Sequence, residues 1–219
     1  MYQLNKVKYK HILDIENLHI PGQQITCILG ESGSGKTTLL RLLNKLISCD
    51  KGEIRYMGES MKAINAIELR RKVVMLPQSP AIFTGTIRDN LLIGLNFSEK
   101  PSVSDDKLLE ILDLSHLSRG RAQRPSPTIF LDEDAEKLSG GEKQRLALGR
   151  VILMEPDAFL LDEPSSSLDE DTEETIINNL VHLTKEKNKT LIMVTHSRKI
   201  ANQFADNIIE LKDGKIIDK

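Results

Sequence analysis

The spacing of apolar residues along this chain changes period several times, and each change predicts an element. Residues 24–29 (Gln-Ile-Thr-Cys-Ile-Leu) are rich in apolar and β-branched side chains and read as a buried strand. From residue 36 to 47 the apolar positions 39, 42, 43, 46 and 47 recur at helical spacing and form one broad face. Residues 1–29 read as strands meeting at turns, with Pro21-Gly22 as the clearest turn signal, and residues 73–76 read as a return strand. Residues 79–137 break the pattern with Pro80, Pro101, Pro125 and Pro127 and carry an amphipathic piece at 107–112, so they read as a mostly helical insertion. A helix over 138–155 and a short buried strand over 158–161 follow, the strand ending in Asp162-Glu163. Then come a helix over 170–187, a strand over 190–195 and a helix over 197–205. Residues 208–211 and 215–217 flank Asp213-Gly214 and predict a closing hairpin. Strands alternating with helices imply an α/β fold with a largely parallel core sheet.

Composition narrows the class. The chain has 219 residues, 39% hydrophobic and 28% charged, which is enough for one globular domain with a subdomain. A net charge of -2 and a pI near 6.2 give no bulk attraction to nucleic acid, and none is expected as a partner. No apolar run reaches membrane-spanning length, and the N-terminus lacks the apolar core of a secretory signal. Cys27 falls in the first buried strand, where a reduced thiol is expected, so a cytoplasmic setting is the expectation. There is no internal repeat.

Between the first buried strand and its helix lies Gly30-Glu31-Ser32-Gly33-Ser34-Gly35-Lys36-Thr37, followed by Thr38. Strand, glycine loop and helix form the context that makes G-x-x-x-x-G-K-[ST] a phosphate-binding loop. Glycines let the backbone turn its N–H groups toward phosphate, and the helix start adds a partial positive charge. Lys36 supplies a point charge for the β- and γ-phosphates, and Thr37 a hydroxyl for Mg²⁺. The alternative, a Gly-Ser turn before a core helix, leaves the agreement of all three parts without a cause.

Asp162 and Glu163 end an apolar strand. In a parallel sheet the carboxyl ends of strands converge on the ligand crevice. Asp162 is therefore a candidate Mg²⁺ ligand, and Glu163 a candidate base for an attacking water. The plain alternative is a strand end entering a polar loop.

Leu138-Ser139-Gly140-Gly141-Glu142-Lys143-Gln144-Arg145 carries an S-x-x-E capping box at a helix start. The two glycines need another reason, since each costs about 1 kcal/mol of helix propensity against alanine. A bare helix start that admits a phosphate supplies one.

Taken in order, these residues resemble the ATP-binding-cassette (ABC) ATPase family over nearly the whole chain, and residues 138–145 look like its signature. The resemblance implies one cassette domain over 1–219, with an antiparallel β subdomain at the N-terminus and a helical subdomain over roughly 79–155. It implies that Ser139, Gly140 and Gly141 cover the γ-phosphate of ATP held by a second copy of the chain, two ATPs lying between head-to-tail subunits. Gln78 looks like the glutamine that senses Mg²⁺ and the membrane partner. Ser165-Ser166-Ser167-Leu168-Asp169 looks like the loop that speaks across the dimer, and has a third serine where alanine is commoner. His196, at the end of the strand after Asp162, looks like the switch histidine, and Tyr9 like the aromatic residue stacked on adenine. Gly149 stands where alanine would suit a helix better. Residues 78–90 resemble exporter-type cassettes, whereas residues 131–136 lack the glycine-bearing segment typical of fused exporters. The general pattern is similar to bacterial cassettes proposed to export iron with a small permease.

What the resemblance implies is an ATPase with Mg²⁺, attached to the inner face of the cell membrane by a permease on a separate chain. The rival is a soluble cassette acting on nucleic acid, ribosomes or cluster assembly. Such chains add coiled coils, zinc modules or a second cassette, and none is visible in this sequence. A P-loop kinase or GTPase would lack the 138–145 segment.

Overall fold

The computed structural model of the chain describes residues 1–117, 130–164 and 169–217. It divides into two compact units. The first comprises Met1–Met75, Asp157–Glu163 and Leu183–Lys219, and the second Leu76–Pro156 and Pro164–His182. Pro125, Pro127 and Ser165 to Leu168 of the sequence reading lie outside the described residues.

The first unit holds two sheets. Strands β1 (Tyr2–Tyr9), β2 (Leu13–Ile20), β4 (Lys51–Tyr56) and β5 (Glu59–Ser60) form an antiparallel sheet in the order β2-β1-β4-β5. The other sheet contains β3 (Ile25–Leu29), β6 (Val73–Leu76), β7 (Ala158–Asp162), β8 (Thr190–Val194), β9 (Asn207–Lys212) and β10 (Lys215–Ile217). Its order is β10-β9-β3-β8-β7-β6. Pairs β3–β8, β3–β9 and β7–β8 are parallel and β9–β10 is an antiparallel hairpin, so the expected α/β fold with a mostly parallel core is borne out. All residues of β3, β7 and β8 are buried, which accounts for their unbroken apolar runs. Burial pushes the Cys27 thiol up to about 12, so it is protonated, as expected of a core cysteine.

Helix α1 (Lys36–Leu43) follows β3 and buries Leu39, Leu40, Leu42 and Leu43, each worth about 1.5–3 kcal/mol against exposure. The expectation of a helix to residue 47 is corrected. Lys45 takes φ 57°, its N–H donates to Leu42 C=O and that of Leu46 to Arg41 C=O, which is a Schellman ending built on lysine in place of glycine. Leu46 is left 50% exposed. The Tyr2 hydroxyl donates to the Leu43 carbonyl at 2.8 Å, closing another of the orphan carbonyls at this helix end. Residues 30–78 also hold more than the sequence reading assigned. Strands β4 and β5 extend the antiparallel sheet, and helix α2 (Ala66–Lys72) starts from Asn65, whose side chain accepts from two helix N–H groups.

The second unit is helical as expected, with α3 (Ile87–Phe97), α4 (Asp105–Leu114) and α5 (Gly140–Leu153). Helix α6 (Glu170–Glu186) follows β7, and α7 (Arg198–Phe204) follows β8. The capping box of Ser139 and Glu142 is present, and a second one joins Thr86 and Asp89 at the start of α3. Gly149 is not a weakness of α5. A methyl group there would stand 3.2 Å from Ile111 Cγ2, 3.3 Å from Leu91 Cδ2 and 3.3 Å from Ser115 Oγ, so the glycine lets α5 lie close against α3 and α4. Beside it, Arg150 donates to the Asn90 carbonyl, the Asn90 side chain and the Ala81 carbonyl, with its guanidinium 4.9 Å from the Phe83 ring.

Candidate functional site

Three strands of the first unit end in one row. Ile28 of β3 pairs with Val194 of β8, and Val194 with Asp162 of β7. The residues just beyond that row are Gly30 after β3, His196 after β8 and Glu163 after β7, so the parallel register brings them to one end of the sheet.

The phosphate loop is tightly folded. Lys36 donates to the carbonyls of Gly30 and Glu31, both at 2.8 Å, and Ser34 N–H donates to Glu31 C=O at 3.2 Å. Gly30 approaches β9 so closely that a methyl group would lie 2.2 Å from Leu211 O. Ser32 and Gly33 are exposed, while Gly35 caps the helix in a left-handed conformation and Thr38 lies in its first turn. The Ser34 hydroxyl is buried and has no protein partner, which suits a loop that takes a polyanionic ligand.

Thr37 Oγ1 donates to Asp162 Oδ1 at 3.1 Å. Asp162 is 2% exposed, and burial raises its pKa, opposed by the Thr37 hydrogen bond and by Arg41 and Lys36, with Glu163 adding to the rise. Burial likewise lowers the pKa of Lys36, with Glu163 and Asp162 pulling it back. A divalent cation would favour the Asp162 carboxylate, whereas the Lys36 ammonium is favoured by anionic phosphate. No cluster of three His, Cys, Asp or Glu suited to a metal occurs among the described residues. A hydroxyl and one carboxylate fit Mg²⁺, which completes its shell with water and phosphate oxygens.

His196 Nε2 lies 2.5 Å from Glu163 Oε1. Glu163 takes φ 50°, uncommon for a residue with a side chain and costing about 1–2 kcal/mol, and its N–H is held by Val194 C=O at 3.1 Å. The loop carrying His196 is fixed on both sides, since Thr195 Oγ1 accepts from Ser197 N–H and Ser197 caps α7. Tyr9 ends β1 opposite Leu13, half-buried, with the Lys10 ammonium 5.3 Å from its ring centre. Leu13 in turn packs against Gly35, where a methyl group would stand 2.7 Å from Leu13 Cδ2.

The remaining candidates belong to the second unit. Gln78 is exposed just past β6. Ser139 is exposed, its N–H and hydroxyl both donating to Glu142 Oε2 at 2.9 Å. Gly140 has open space where a side chain would stand, so nothing among the described residues demands a glycine there. Asp169 accepts from Thr172 N–H at 3.0 Å and from its hydroxyl at 2.8 Å, bonds that hold its carboxyl below the usual range, with Arg145 adding a smaller pull. Local sequence pattern marks Gly214 only as the turn of the closing hairpin and does not single out Arg41 or Arg198, because single arginines carry no motif.

A glycine loop between a parallel strand and a helix, with a buried aspartate against the loop threonine, defines a P-loop nucleoside-triphosphatase. The family model described as ABC transporter matches residues 13–166. "ABC transporter I family member 17" of Arabidopsis thaliana is 36% identical over 207 residues, covering 94% of this chain and 75% of the relative. "Transport/processing ATP-binding protein ComA" of Streptococcus pneumoniae is 34% identical over 220 residues, covering 98% of this chain but 29% of the relative. Protein STAR1 of rice is 35% identical, and this chain spans 59% of its length. Among solved structures, the dimeric, post-hydrolysis ATP-binding cassette MJ0796 bound to ADP and Pi superposes with a TM-score of 0.87 at 28% identity, covering all of this chain and 97% of that one. The chain therefore belongs to the ABC transporter family and carries its ATP-binding cassette.

Proposed function

We propose that this chain is one ABC ATPase domain, residues 1–219 with a helical subdomain over about 79–155, that hydrolyses ATP with Mg²⁺ to drive a membrane permease carried on a separate chain. The observation that carries the reading is the single row of strand ends that sets the phosphate loop, Asp162, Glu163 and His196 together. The loop from Gly30 to Thr38 binds the triphosphate, with Lys36 drawn from the Gly30 and Glu31 carbonyls to the β- and γ-phosphates. Thr37 and Asp162, with Gln78, would hold Mg²⁺, which would supply neutralising charge for the triphosphate. Glu163 accepts a proton from the attacking water, while His196 holds the Glu163 carboxylate and faces the γ-phosphate. Tyr9 stacks on adenine.

Ser139, Gly140, Gly141 and Asp169 act on the ATP of a second copy, two chains closing head to tail around two nucleotides. The dimeric solved cassette supports pairing of this kind. The protein works at the cytoplasmic face of the membrane, held there by the permease. No described helix is long and apolar enough to cross a membrane. The transport names of the relatives favour this reading over a soluble ABC ATPase acting on nucleic acid, ribosomes or cluster assembly.

Pull-down of the tagged protein from detergent-solubilised membranes with ATP tests the transport reading. A multi-helix hydrophobic partner supports it. Recovery of soluble partners or nucleic acid alone would sink transport and leave the ATPase standing.

A further inference from the structure

The turn of the last hairpin makes contacts that none of these roles uses. Gly214 N–H donates to Ser34 C=O at 3.2 Å, and Gly214 C=O accepts from Asp14 N–H at 2.8 Å. One residue thus joins the phosphate loop to the start of β2, in the same hairpin as Tyr9. Gly214 has φ +75°, and a Cβ there would stand 2.2 Å from Ile12 O and 3.2 Å from Leu13 Cα, both backbone atoms that no side-chain rotation can move aside. The same hairpin touches the site twice more, at Leu211 against Gly30 and at Glu210, which pairs with Arg198 two residues past His196.

The peptide plane makes the first contact consequential. In a trans peptide the C=O and the next N–H point in opposite directions. Holding Ser34 C=O toward Gly214 therefore aims the Gly35 N–H away from the hairpin, the kind of fixed donor a phosphate cradle requires.

We propose that Gly214 is a positioning residue for nucleotide binding. Its two backbone hydrogen bonds set the Ser34–Gly35 peptide and the Tyr9 hairpin at one fixed spacing, so that phosphates and base are gripped without rearrangement. The inference rests on the ATP reading above.

Equilibrium titration of the full chain with MgATP tests it in three forms: wild type, Gly214→Ala and Gly58→Ala. Gly58, in the β4–β5 turn, has φ +85° and nothing within 4 Å of where a methyl group would stand, so it carries the same backbone strain without the clash and without a link to the loop. Gly214→Ala is expected to raise Kd by about tenfold to a hundredfold, the scale of a misplaced binding group, while Gly58→Ala leaves Kd at the wild-type value. A purely structural loss lowers the stoichiometry of binding and leaves Kd unchanged, and that result would overturn the proposal. Hydrogen exchange on the wild type covers the case in which Gly214→Ala does not fold. MgATP should slow exchange at the Gly214 amide by about tenfold or more, since breaking its bond to Ser34 then costs binding energy. Equal exchange with and without MgATP overturns the proposal. Failure of the wild type to bind MgATP would sink the ATP reading and this inference with it, whereas tight wild-type binding matched by Gly214→Ala removes the inference alone.

Discussion

His196 Nε2 and Glu163 Oε1 stand 2.5 Å apart although 33 positions separate them in the chain, counted from 163 to 196. The pairing of β7 with β8 makes the contact, because each residue follows its strand past the same row. An imidazole so placed can restrain the carboxylate as a proton acceptor, and removing either group breaks one unit.

Glu163→Gln keeps the shape of the side chain and removes its basicity. We expect ATP hydrolysis to fall by about 10²- to 10⁴-fold while MgATP binding persists. His196→Ala should fall by a similar factor, and the double variant by little more than either alone. Steady-state phosphate release beside equilibrium nucleotide binding checks this, and wild-type turnover in Glu163→Gln would remove the residue from its role.

Asp162 is buried, and its folded pKa is raised. A raised carboxyl pKa stabilises the fold below the unfolded value, and that contribution is lost as pH rises through the folded value. At neutral pH the ionised group therefore weighs against the fold when no cation is bound. Asp162→Asn should melt at a higher temperature than wild type in chelator at pH 7, and the difference should shrink below about pH 4. The same variant should lose the stabilisation that Mg²⁺ with ATP gives wild type. Thermal unfolding across pH, with and without MgATP, measures both effects.

Ser139 caps α5, and the task proposed for it beyond that is to face a phosphate. Ser139→Ala should cost about 1 kcal/mol of stability through the lost cap. Ser139→Asp restores a good cap and adds a negative charge where the partner's γ-phosphate is proposed to sit. It should keep near-native stability yet lose ATP-driven dimerisation in the Glu163→Gln background, read by size-exclusion chromatography. Wild-type dimerisation by Ser139→Asp would confine Ser139 to capping.

Gly149→Ala would help an isolated helix by about 1 kcal/mol. In this fold the methyl meets three side chains at 3.2–3.3 Å, one of them the fully buried Ser115. We expect a net loss of about 1 kcal/mol, as overpacked cores lose stability. Urea denaturation of the two forms decides the sign.

Sequence and structure agree where chemistry and periodicity coincide. The phosphate loop was legible because its glycines, lysine and threonine have fixed spacing, and the capping box because Ser139 and Glu142 are three apart. The parallel strands were legible as apolar runs. Strands β4 and β5 were not, because β4 alternates around only Ile54 and Tyr56 among charged residues, the pattern of a sheet face open to water. The end of α1 escaped because Lys45 fills a position usually marked by glycine. Gly149 looked like a flaw because the reason for it lies on two other helices. The approach of His196 to Glu163 depends on the register of β7 and β8, which no local pattern encodes.

That register also determines where the chain can change length. Successive side chains of a strand face opposite sides of the sheet, so losing one residue inside β8 would invert its remaining side chains and carry His196 one rise away, about 3.3 Å. The same loss in β7 would exchange the environments of Asp162 and its neighbour. Over evolutionary time, insertions and deletions should therefore collect in the connections and stay out of these two five-residue strands. The spacing from each strand's start to its chemical residue is a ruler that drift can relabel but not shorten.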